Sequence, residues 1–569
     1  MASADPSGRL TVRVCVKDPF VLRKMLAAWL GLAESRVRVF QSAIGGCFGG
    51  KSSSFYGSIC CLSAWLSLTC GAPVKIALAR DEEMIAGRRR MPVSFDMKVG
   101  VRRDGIIMAK DTVAIGDAGA YAGQAKLMFQ TAIRRHENLY RVRNIRTKAF
   151  LVYTNNVPTA AFRGYGNLQG TFAFESMIDM LAHELGMDPA EMRLRNATQT
   201  GDVAAHGWQI GSCGLTECVE IAAERANWST RRQAGSSERG LGLACMIHVS
   251  GRRMGQQFSG SRAHVRTESD GIPIVFPADP DLGQGSDSVS AAVVAEELGL
   301  RIEDVKVNPI DTDVSPHGFG LFSDRGTILG GNAARLAAQD VRRQMVELAA
   351  EMLEARPEDL AFKDGKVFVQ GSPDRCVTFA QIAQHGLNTH RQDVIVGRGA
   401  YDPPSVNSDP VTLYGNLASS YTFAAQVAEV EVNMETGKVR VNHVTAAHDN
   451  GRTINPLAAE GQVEGGAVQG VGWTLFEDFS RPGVTMNASL IDYKVPTSLE
   501  APTFDVALVE TDDPFGPYGA KGIGEPSLVA IAPAVANAVF NATGVRITEL
   551  PITPDKVLKL GGQPLASAK

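Results

Sequence analysis

The sequence lacks the residue spacings by which proteins usually ligate a metal. None of its nine cysteines forms a Cys-x-x-Cys pair, and its ten histidines show no His-Glu-x-x-His pattern. A zinc site or an iron–sulfur cluster within the chain is therefore not expected. An odd number of cysteines spread over 569 residues is typical of free thiols in a reducing compartment, so the sequence predicts a cytoplasmic protein.

Long apolar runs and a strong charge imbalance are also absent. No segment of 18 residues is apolar throughout, and residues 1–8 have neither the basic nor the apolar portion of a secretory signal, so no membrane span is predicted. The formal net charge is −4, from 57 basic and 61 acidic residues. An acidic chain is not favoured on nucleic acid or on an anionic membrane surface, so neither is expected as a partner.

Strand-like and helix-like segments alternate, which predicts a mixed α/β (α+β) fold. A polar segment at 231–239 is interpreted as a linker between a first domain, 1–230, and a second domain, 240–569. The pattern predicts strands at 10–16, 36–40, 74–78, 423–432 and 439–447, a hairpin of 96–101 with 106–115, and helices at 19–30, 59–68, 171–185, 288–298, 331–353 and 527–542, the last interrupted by Pro533.

The first of four glycine-rich motifs, 45–52, satisfies the pattern of a P-loop and lies between a predicted strand and a predicted helix. It indicates a nucleotide triphosphatase as one hypothesis and a tight strand-to-helix turn as another. Phe48 at the centre of the loop is unusual for a phosphate cradle, and the segment that would supply a Walker B carboxylate, 74–81, contains two basic residues.

The other motifs also precede predicted helices. Residues 161–170 imitate a dinucleotide fingerprint with the wrong glycine spacing, and Gln284 lies between two glycines. In 519–528, Glu525 precedes Pro526, which suits the first position of a helix. A helix N-terminus stabilises a carboxylate while burial opposes ionisation, so Glu525 is either a base able to accept a proton or a simple cap.

Together, these motifs resemble the molybdenum-cofactor subunit of the xanthine oxidase and aldehyde oxidase family of molybdenum hydroxylases. The resemblance extends from about residue 10 to residue 557. The matching segments, in family order, are 45–51, 161–166, 283–285, 330–333, 455–465 and 522–526.

The resemblance implies two elongated molybdopterin-binding domains with the cofactor between them. The metal would be held by the pterin dithiolene, so no side-chain ligand is expected. Glu525 would be the catalytic base and Arg163 would line the active site, with Tyr165, Phe48 and Lys17 facing the substrate. The cofactor contacts implied are Gly46, Cys47, Phe48, Gly49, Gly50, Arg163, Gly283, Gln284, Gly285, Ser323, Asp324, Thr327, Asn332, Gln462, Gly522 and Gly524.

The implied activity is hydroxylation of an electron-poor carbon of an aromatic heterocycle or an aldehyde, with water as the oxygen source. Lys17 replaces a common glutamine, Ser52 replaces the glutamate of purine oxidisers, and Thr131 stands near the position of their arginine, which disfavours xanthine as substrate. One alternative is reductive dehydroxylation of an aromatic CoA thioester, as in 4-hydroxybenzoyl-CoA reductase. Another is a non-catalytic scaffold subunit.

The family's cofactor set implies partner proteins as well. The molybdopterin is expected in its cytosine dinucleotide form, and [2Fe–2S] clusters and FAD are expected only on partner subunits. Family members usually carry a further leading domain. The resemblance implies that a separate subunit supplies that domain, or that the sequence is a truncated product.

Overall fold

The computed structural model describes residues 1–232, 238–255, 257–388, 394–478 and 489–561. Within these ranges the α-helices are α1 Pro19–Leu30, α2 Ser53–Cys70, α3 Arg80–Ala86, α4 Ala125–Glu137, α5 Asn167–Leu185, α6 Pro189–Asn196, α7 Leu215–Arg225, α8 Trp228–Arg231, α9 Ser286–Leu298, α10 Asn332–Leu353, α11 Phe379–Asn388, α12 Pro456–Leu475, α13 Ile531–Thr543 and α14 Pro554–Gly561. A π-helical turn, Gly326–Gly331, leads into α10.

The strands are β1 Ala2–Ala4, β2 Leu10–Val14, β3 Val37–Gln41, β4 Val93–Val101, β5 Ile107–Gly119, β6 Asn144–Tyr153, β7 Arg239–Ser250, β8 Ser261–Thr267, β9 Pro273–Pro277, β10 Lys306–Val307, β11 Leu360–Lys363, β12 Lys366–Val369, β13 Ser372–Thr378, β14 Val396–Tyr401, β15 Ser420–Val432, β16 Val439–Asp449 and β17 Thr503–Val509. The mixed α/β fold predicted from the sequence is confirmed.

The N-terminal part contains two three-stranded sheets, β1-β2-β3 and β4-β5-β6. In each, the last pair of strands is parallel and the pair before it is antiparallel. Parallel neighbours need a crossover, and α1 makes it in the first sheet and α4 in the second. The predicted hairpin is β4-β5, which turns at Gly105 with a left-handed φ of 83°.

The C-terminal part contains two four-stranded sheets, β10-β9-β8-β14 and β17-β16-β15-β7, and a small sheet, β11-β12-β13. The sheet β17-β16-β15-β7 is covered on both faces. Helices α12 and α13 pack on one face, and α7 packs with Trp208 on the other. Burial on both faces explains why β7 and β15 are continuous buried runs rather than alternating ones. The C-terminal end of β7 carries His248 into the site described below.

Glycines allow helices to approach these sheets closely. A Cβ on Gly242 of β7 would lie 2.1 Å from the carbonyl oxygen of Ala534 on α13. A Cβ on Gly399 of β14 would lie 2.0 Å from the carbonyl oxygen of Ala333 on α10. Both contacts are with helix backbone, which cannot rotate away, so both positions require glycine.

Three local predictions were wrong. Residues 74–78 form no strand, and only Val74 pairs, as an isolated bridge to Ala2. Helix α2 begins at Ser53, six residues before the predicted start, because Asp18 accepts a hydrogen bond from the Ser53 N–H at 2.8 Å. Pro533 does not interrupt α13, since it is the third residue of the helix, where a backbone N–H needs no intrahelical partner.

Other boundaries agree with prediction. Helix α5 ends before Gly186, whose φ is 63°, and the Asp188 side chain caps α6 by accepting from two backbone N–H groups. Part of the predicted linker, 233–237, lies outside the described residues, and β7 begins at Arg239. The division of the chain at 231–239 stays a prediction.

One segment, Pro526–Thr543, is long and apolar enough to cross a membrane by length and composition. The fold buries 83% of it, mainly as α13 against β7 and β15. Its hydropathy is that of a helix in the protein core.

We expect Gly242→Ala to lower the melting temperature markedly, because the new Cβ would force α13 off the sheet, and overpacking of this kind costs about 1–3 kcal/mol or more. Gly100→Ala in β4 is the matched control, since its Cβ would meet no atom closer than 3.9 Å. Thermal unfolding followed by circular dichroism measures both. Equal melting temperatures for the two variants would contradict this account of the packing.

Candidate active site

A cavity of about 750 Å³ lies where loops from the two parts of the chain meet. The N-terminal part contributes residues 45–49, 161–163 and Tyr165 to its lining. The C-terminal part contributes 282–284, 321–324, 326–327, Gln462 and 522–525. Each of the four glycine-rich motifs found in the sequence therefore borders this one cavity.

The first glycine loop packs directly on the second. The Arg163 N–H donates to the Phe48 carbonyl at 2.8 Å, and a Cβ on Gly49, whose φ is 109°, would lie 2.2 Å from the Ala161 carbonyl oxygen. The backbone N–H groups of Phe48 and Gly49 have no hydrogen-bond partner among the described residues. The loop thus presents free backbone donors at the cavity.

Non-glycine residues with left-handed backbone are concentrated here. Phe48, Tyr165, Ser323 and Asp324 all line the cavity and have φ between 46° and 52°. Such conformations cost of order 1–3 kcal/mol each and persist only where surrounding contacts impose them. The backbone around the cavity is therefore held in shape against its local preference.

The Glu525 carboxylate is bound by groups from three distant parts of the chain. Its Oε1 accepts the Ser323 N–H at 2.9 Å, and its Oε2 accepts the Gly164 N–H at 3.2 Å. The His248 Nε2 lies 3.3 Å from Oε2. Burial opposes ionisation, but the hydrogen bond from His248, the Ser323 N–H and the charge of Arg135 outweigh it and lower the pKa of Glu525. Glu525 is an ionised buried carboxylate.

His248 presents a neutral ring to Glu525 across a contact of 3.3 Å. The Asn167 side-chain amide donates to the Ile247 carbonyl at 2.8 Å, which identifies its nitrogen, and the same nitrogen lies 3.2 Å from His248 Nδ1. Nδ1 is therefore an acceptor, and the single proton of the neutral ring is on Nε2, facing Glu525. Burial lowers the pKa of His248, which keeps the ring neutral.

Asp324 is the neutral neighbour of this carboxylate. Burial and the charge of Glu525 together raise the pKa of Asp324 well above its ordinary value. Its Oδ1 accepts the Glu525 N–H at 2.9 Å, and its Oδ2 is buried without a partner. Two adjacent carboxyl groups thus divide into one anion and one acid.

Arg163 ties the loops together. Its Nε donates to the Gly524 carbonyl at 2.6 Å, and its Nη2 donates to Gln462 and to the Ser527 hydroxyl at 3.0 Å. The arginine predicted to be catalytic therefore holds the carbonyl one residue before Glu525. These contacts position the loop that carries Glu525, while a catalytic role for Arg163, which lines the cavity, stays a prediction.

The structure gives the P-loop pattern another role. The Lys51 ammonium donates to the Ile44 carbonyl of its own loop, so it does not point toward a phosphate site. Ser52 donates to Asp18, the residue that precedes α1, at 3.3 Å. The second hypothesis for this motif, a tight strand-to-helix turn, describes it correctly.

The same architecture is found in proteins of known family. Two family models, each described as a molybdopterin cofactor-binding domain, match this chain. One matches residues 1–197 and the other matches residues 215–502. The chain belongs to the molybdopterin cofactor-binding proteins of the xanthine dehydrogenase family. It is the catalytic subunit of a molybdenum hydroxylase, as the resemblance seen in the sequence implied.

Relatives in this family match along nearly the whole chain. The xanthine dehydrogenase molybdenum-binding subunit of Escherichia coli O157:H7 is 33% identical over 98% of this chain and 74% of that protein. The 6-hydroxypseudooxynicotine dehydrogenase complex subunit gamma of Paenarthrobacter nicotinovorans is 31% identical over 94% of this chain and 68% of that protein. The crystal structure of quinoline 2-oxidoreductase from Pseudomonas putida 86 superposes with a TM-score of 0.88 at 27% identity, covering 99% of this chain and 74% of that chain.

The cavity fits the family's cofactor. The Gln284 side-chain nitrogen is buried without a partner in the cavity wall, while its oxygen accepts the Leu282 N–H at 2.7 Å. This orphaned donor and the free N–H groups of the first glycine loop suit the many acceptor atoms of a pterin. Among the described residues, no group of three or more His, Cys, Asp or Glu side chains is arranged to hold a metal ion.

Most residues predicted for a molybdopterin site lie together. Lys17 and Tyr165 line the cavity, and the Lys17 ammonium lies 5.6 Å from the centre of the Phe322 ring. Three predicted cofactor contacts do not line it. Gly50 borders a second cavity, Gly285 precedes α9, and the Asn332 side chain donates to the carbonyl groups of Ile328 and Phe515. Their assignment as cofactor contacts stays a prediction.

Two residues of the candidate active site were not predicted from the sequence. His248 lies within a buried apolar strand, where nothing in the local sequence distinguishes it from a core histidine. Arg252 lies in the cavity wall just after β7, in a segment without a motif. Only the three-dimensional fold brings them to Glu525 and Tyr165.

We expect Gly49→Ala to reduce the molybdenum content per chain, because the new Cβ would push the loop off Ala161 and move its free N–H groups. Gly45→Ala in the same loop is the control: its φ of 63° is also left-handed, but nothing lies within 4 Å of its Cβ. Elemental analysis of the purified, cofactor-matured proteins measures the difference. Full molybdenum occupancy in Gly49→Ala would contradict the role of this loop.

Proposed function

We propose that this subunit hydroxylates an electron-poor carbon of an aromatic heterocycle or an aldehyde, with Glu525 as the general base. The observation that carries the proposal is the ionised, buried carboxylate of Glu525, held by the N–H groups of Ser323 and Gly164 at the wall of the cavity. A simple helix cap would accept hydrogen bonds from the first backbone N–H groups of its own helix. The Glu525 side chain makes no hydrogen bond to the turn that begins at Pro526.

The geometry leaves Glu525 one site for a proton. A carboxylate has about four lone-pair sites, and the Ser323 N–H, the Gly164 N–H and His248 Nε2 face three of them. The overall reaction converts R–H and water to R–OH, two protons and two electrons. Glu525 takes up one of the protons as the water-derived oxygen bonds to the substrate carbon.

Neighbouring residues keep that carboxylate in place and charged. Arg163 fixes the Gly524 carbonyl, and Asp324 fixes the Glu525 N–H, so both sides of the Glu525 backbone are held. When bound, the molybdenum cofactor supplies the two-electron redox chemistry. Residues of the first glycine loop, together with Gln284 and Gln462, are the groups that would hold it.

The finer assignments belong to the same proposal. The cofactor is expected in the cytosine dinucleotide form. Electrons would leave through iron–sulfur and FAD groups on partner subunits. The presence of partner subunits is supported by the Paenarthrobacter relative, which is named as a subunit of a dehydrogenase complex. Supply of the family's leading domain by a separate subunit and a cytoplasmic location also stay predictions.

We expect Glu525→Gln to retain cofactor and shape but to lower turnover by roughly 10²–10⁴-fold, the effect typical of a lost general base. Substrate binding should change little, because the proton moves only on the way to the transition state. Steady-state kinetics with an artificial electron acceptor, normalised to molybdenum content, measures both.

The matched control is Glu510→Gln, which alters a glutamate that also accepts a backbone N–H, that of Thr453 at 2.8 Å, but lies outside the cavity. We expect it to keep normal turnover. Normal turnover in molybdenum-replete Glu525→Gln would exclude Glu525 as the base and favour the scaffold alternative.

We expect His248→Phe to move the acid limb of the pH profile of kcat/KM to higher pH. The N–H that His248 turns toward the carboxylate stabilises its charge, so loss of that N–H raises the pKa of Glu525. The base is protonated below its pKa, so activity should be lost at a higher pH than in the unmodified protein. His248→Gln, which keeps a donor near Nε2, should restore the profile.

His443→Phe serves as the control for this profile, because His443 contacts the Thr503 hydroxyl on the far strand pair and does not line the cavity. The profile should match that of the unmodified enzyme. An unshifted profile in His248→Phe would show that His248 does not tune Glu525.

A further inference from the structure

Three arginines lie close to one another and to the cavity that contains Tyr165. Arg134 and Arg135 are consecutive residues in the last turn of α4, and each is only 1% exposed. Arg252 follows β7 and lines the cavity itself. None of the three belongs to a glycine motif.

These arginines have no acidic partner among the described residues. The hydrogen bond made by Arg134 is from Nη1 to the Ser408 hydroxyl, at 2.9 Å. Buried nitrogens without any hydrogen-bond partner occur on all three guanidinium groups: Nε and Nη2 of Arg134, Nε and Nη1 of Arg135, and Nε of Arg252. Two other buried cations do have acidic partners: Arg193 pairs with Glu175 at 2.8 Å, and Lys521 pairs with Asp449 at 2.7 Å.

The charges of the cluster repel one another. Burial, and then the charges of Arg252 and Arg135, lower the pKa of Arg134 well below its ordinary value. Burial and the charge of Arg252 lower the pKa of Arg135 to about 9. A guanidinium is not deprotonated in proteins, so the cluster holds three positive charges in a region largely withdrawn from water.

Nearby carboxyl groups do not balance these charges. Glu525 and Asp324 act electrostatically on Arg135, but Asp324 is neutral. Arg135 also lies 5.5 Å over the Trp208 ring, a contact that stabilises a cation. Outside the cluster, Arg134 and Arg252 have only neutral neighbours among the described residues: the Ser408 hydroxyl and Tyr421 beside Arg134, and Tyr165 beside both. Burial raises the pKa of Tyr165 to about 12, so it carries no negative charge. Buried unpaired charge is unfavourable, so the cluster requires an anion.

We propose that Arg252 and Arg134 bind a carboxylate group of the substrate, placing the electron-poor ring beside Tyr165 and its reacting carbon at Glu525. A guanidinium presents parallel N–H donors that match the two oxygens of a carboxylate. Arg135 does not line the cavity, but its charge acts on Arg134 and adds to the positive potential. The substrate class is therefore an aromatic N-heterocycle that carries a carboxylate, and this inference rests on the proposed hydroxylase function.

The position of the cluster favours substrate over cofactor as the source of the anion. Arg252 and Arg134 both act electrostatically on Tyr165, the residue expected to face the substrate. The groups that fit the pterin, the first glycine loop and Gln284, are other parts of the wall. A phosphate of the cofactor would offer the same oxyanion chemistry, so the experiment has to separate the two sources.

The kinetic test compares pyridine-3-carboxylate with its neutral isostere, pyridine-3-carboxamide, on the cofactor-loaded complex. We expect the unmodified enzyme to prefer the carboxylate in kcat/KM. Arg252→Gln should lower kcat/KM for the carboxylate by about 10- to 100-fold, mainly through KM, the effect of losing a charge-assisted hydrogen-bonded pair. The carboxamide should be little affected, and Arg252→Lys, which keeps the charge without the fork, should be intermediate.

The matched control is Arg253→Gln, because Arg253 is the next residue in the chain but pairs with Asp402 at 2.9 Å, outside the cavity wall. It should leave the ratio of kcat/KM for carboxylate and carboxamide unchanged. Arg134→Gln should reduce that ratio as Arg252→Gln does.

A binding test separates this inference from the proposed function. Calorimetric titration of the loaded complex with benzoate and benzamide, without an electron acceptor, needs no turnover. Tighter binding of benzoate that disappears in Arg252→Gln supports the carboxylate site even if Glu525 fails as the base. Equal affinity for the two probes would overturn the proposal, and so would loss of molybdenum from Arg252→Gln, since the arginine would then hold the cofactor.

Discussion

The site depends on keeping one carboxylate ionised in a buried place. Burial alone would protonate Glu525, and three donors from separate segments prevent this: the Ser323 N–H, the Gly164 N–H and the His248 ring. Other features of the cavity follow from that requirement. Ser323 adopts a left-handed backbone to aim its N–H, and the N-terminal and C-terminal loops must dock for Gly164 to reach Oε2.

Support for this carboxylate extends into the fold behind it. Strand β7 lies in a sheet covered by helices on both faces, so His248 and the Ser250 hydroxyl are fixed by the core. Ser250 accepts the Gly522 N–H at 2.9 Å, and Thr422 of β15 donates to the Gly522 carbonyl at 3.2 Å. The loop that carries Glu525 is therefore attached to a sheet buried on both faces, and such support is what a positioned base requires.

The local elements of this site can be predicted from the sequence, but the long-range contacts between them cannot. Glycine spacing and the Glu525-Pro526 pair are local signals, and both led to the cavity. Local signals also placed α1 and the end of α5 correctly. The contact of Ser323 with Glu525 spans 202 residues, and that of Gly164 spans 361, and no spacing within one sequence encodes either. His248 was missed for the same reason, because a histidine in a buried strand has the same local pattern whether it supports a base or fills a core.

The long sequence separation of these contacts also determines when the site can exist during synthesis. Glu525 follows Ser323 by 202 residues and Gly164 by 361 residues, so both leave the ribosome well before their shared partner. Until Glu525 is made, the part of the cavity wall formed by 522–525 is missing. The complete cradle therefore exists only after these separate segments have come together.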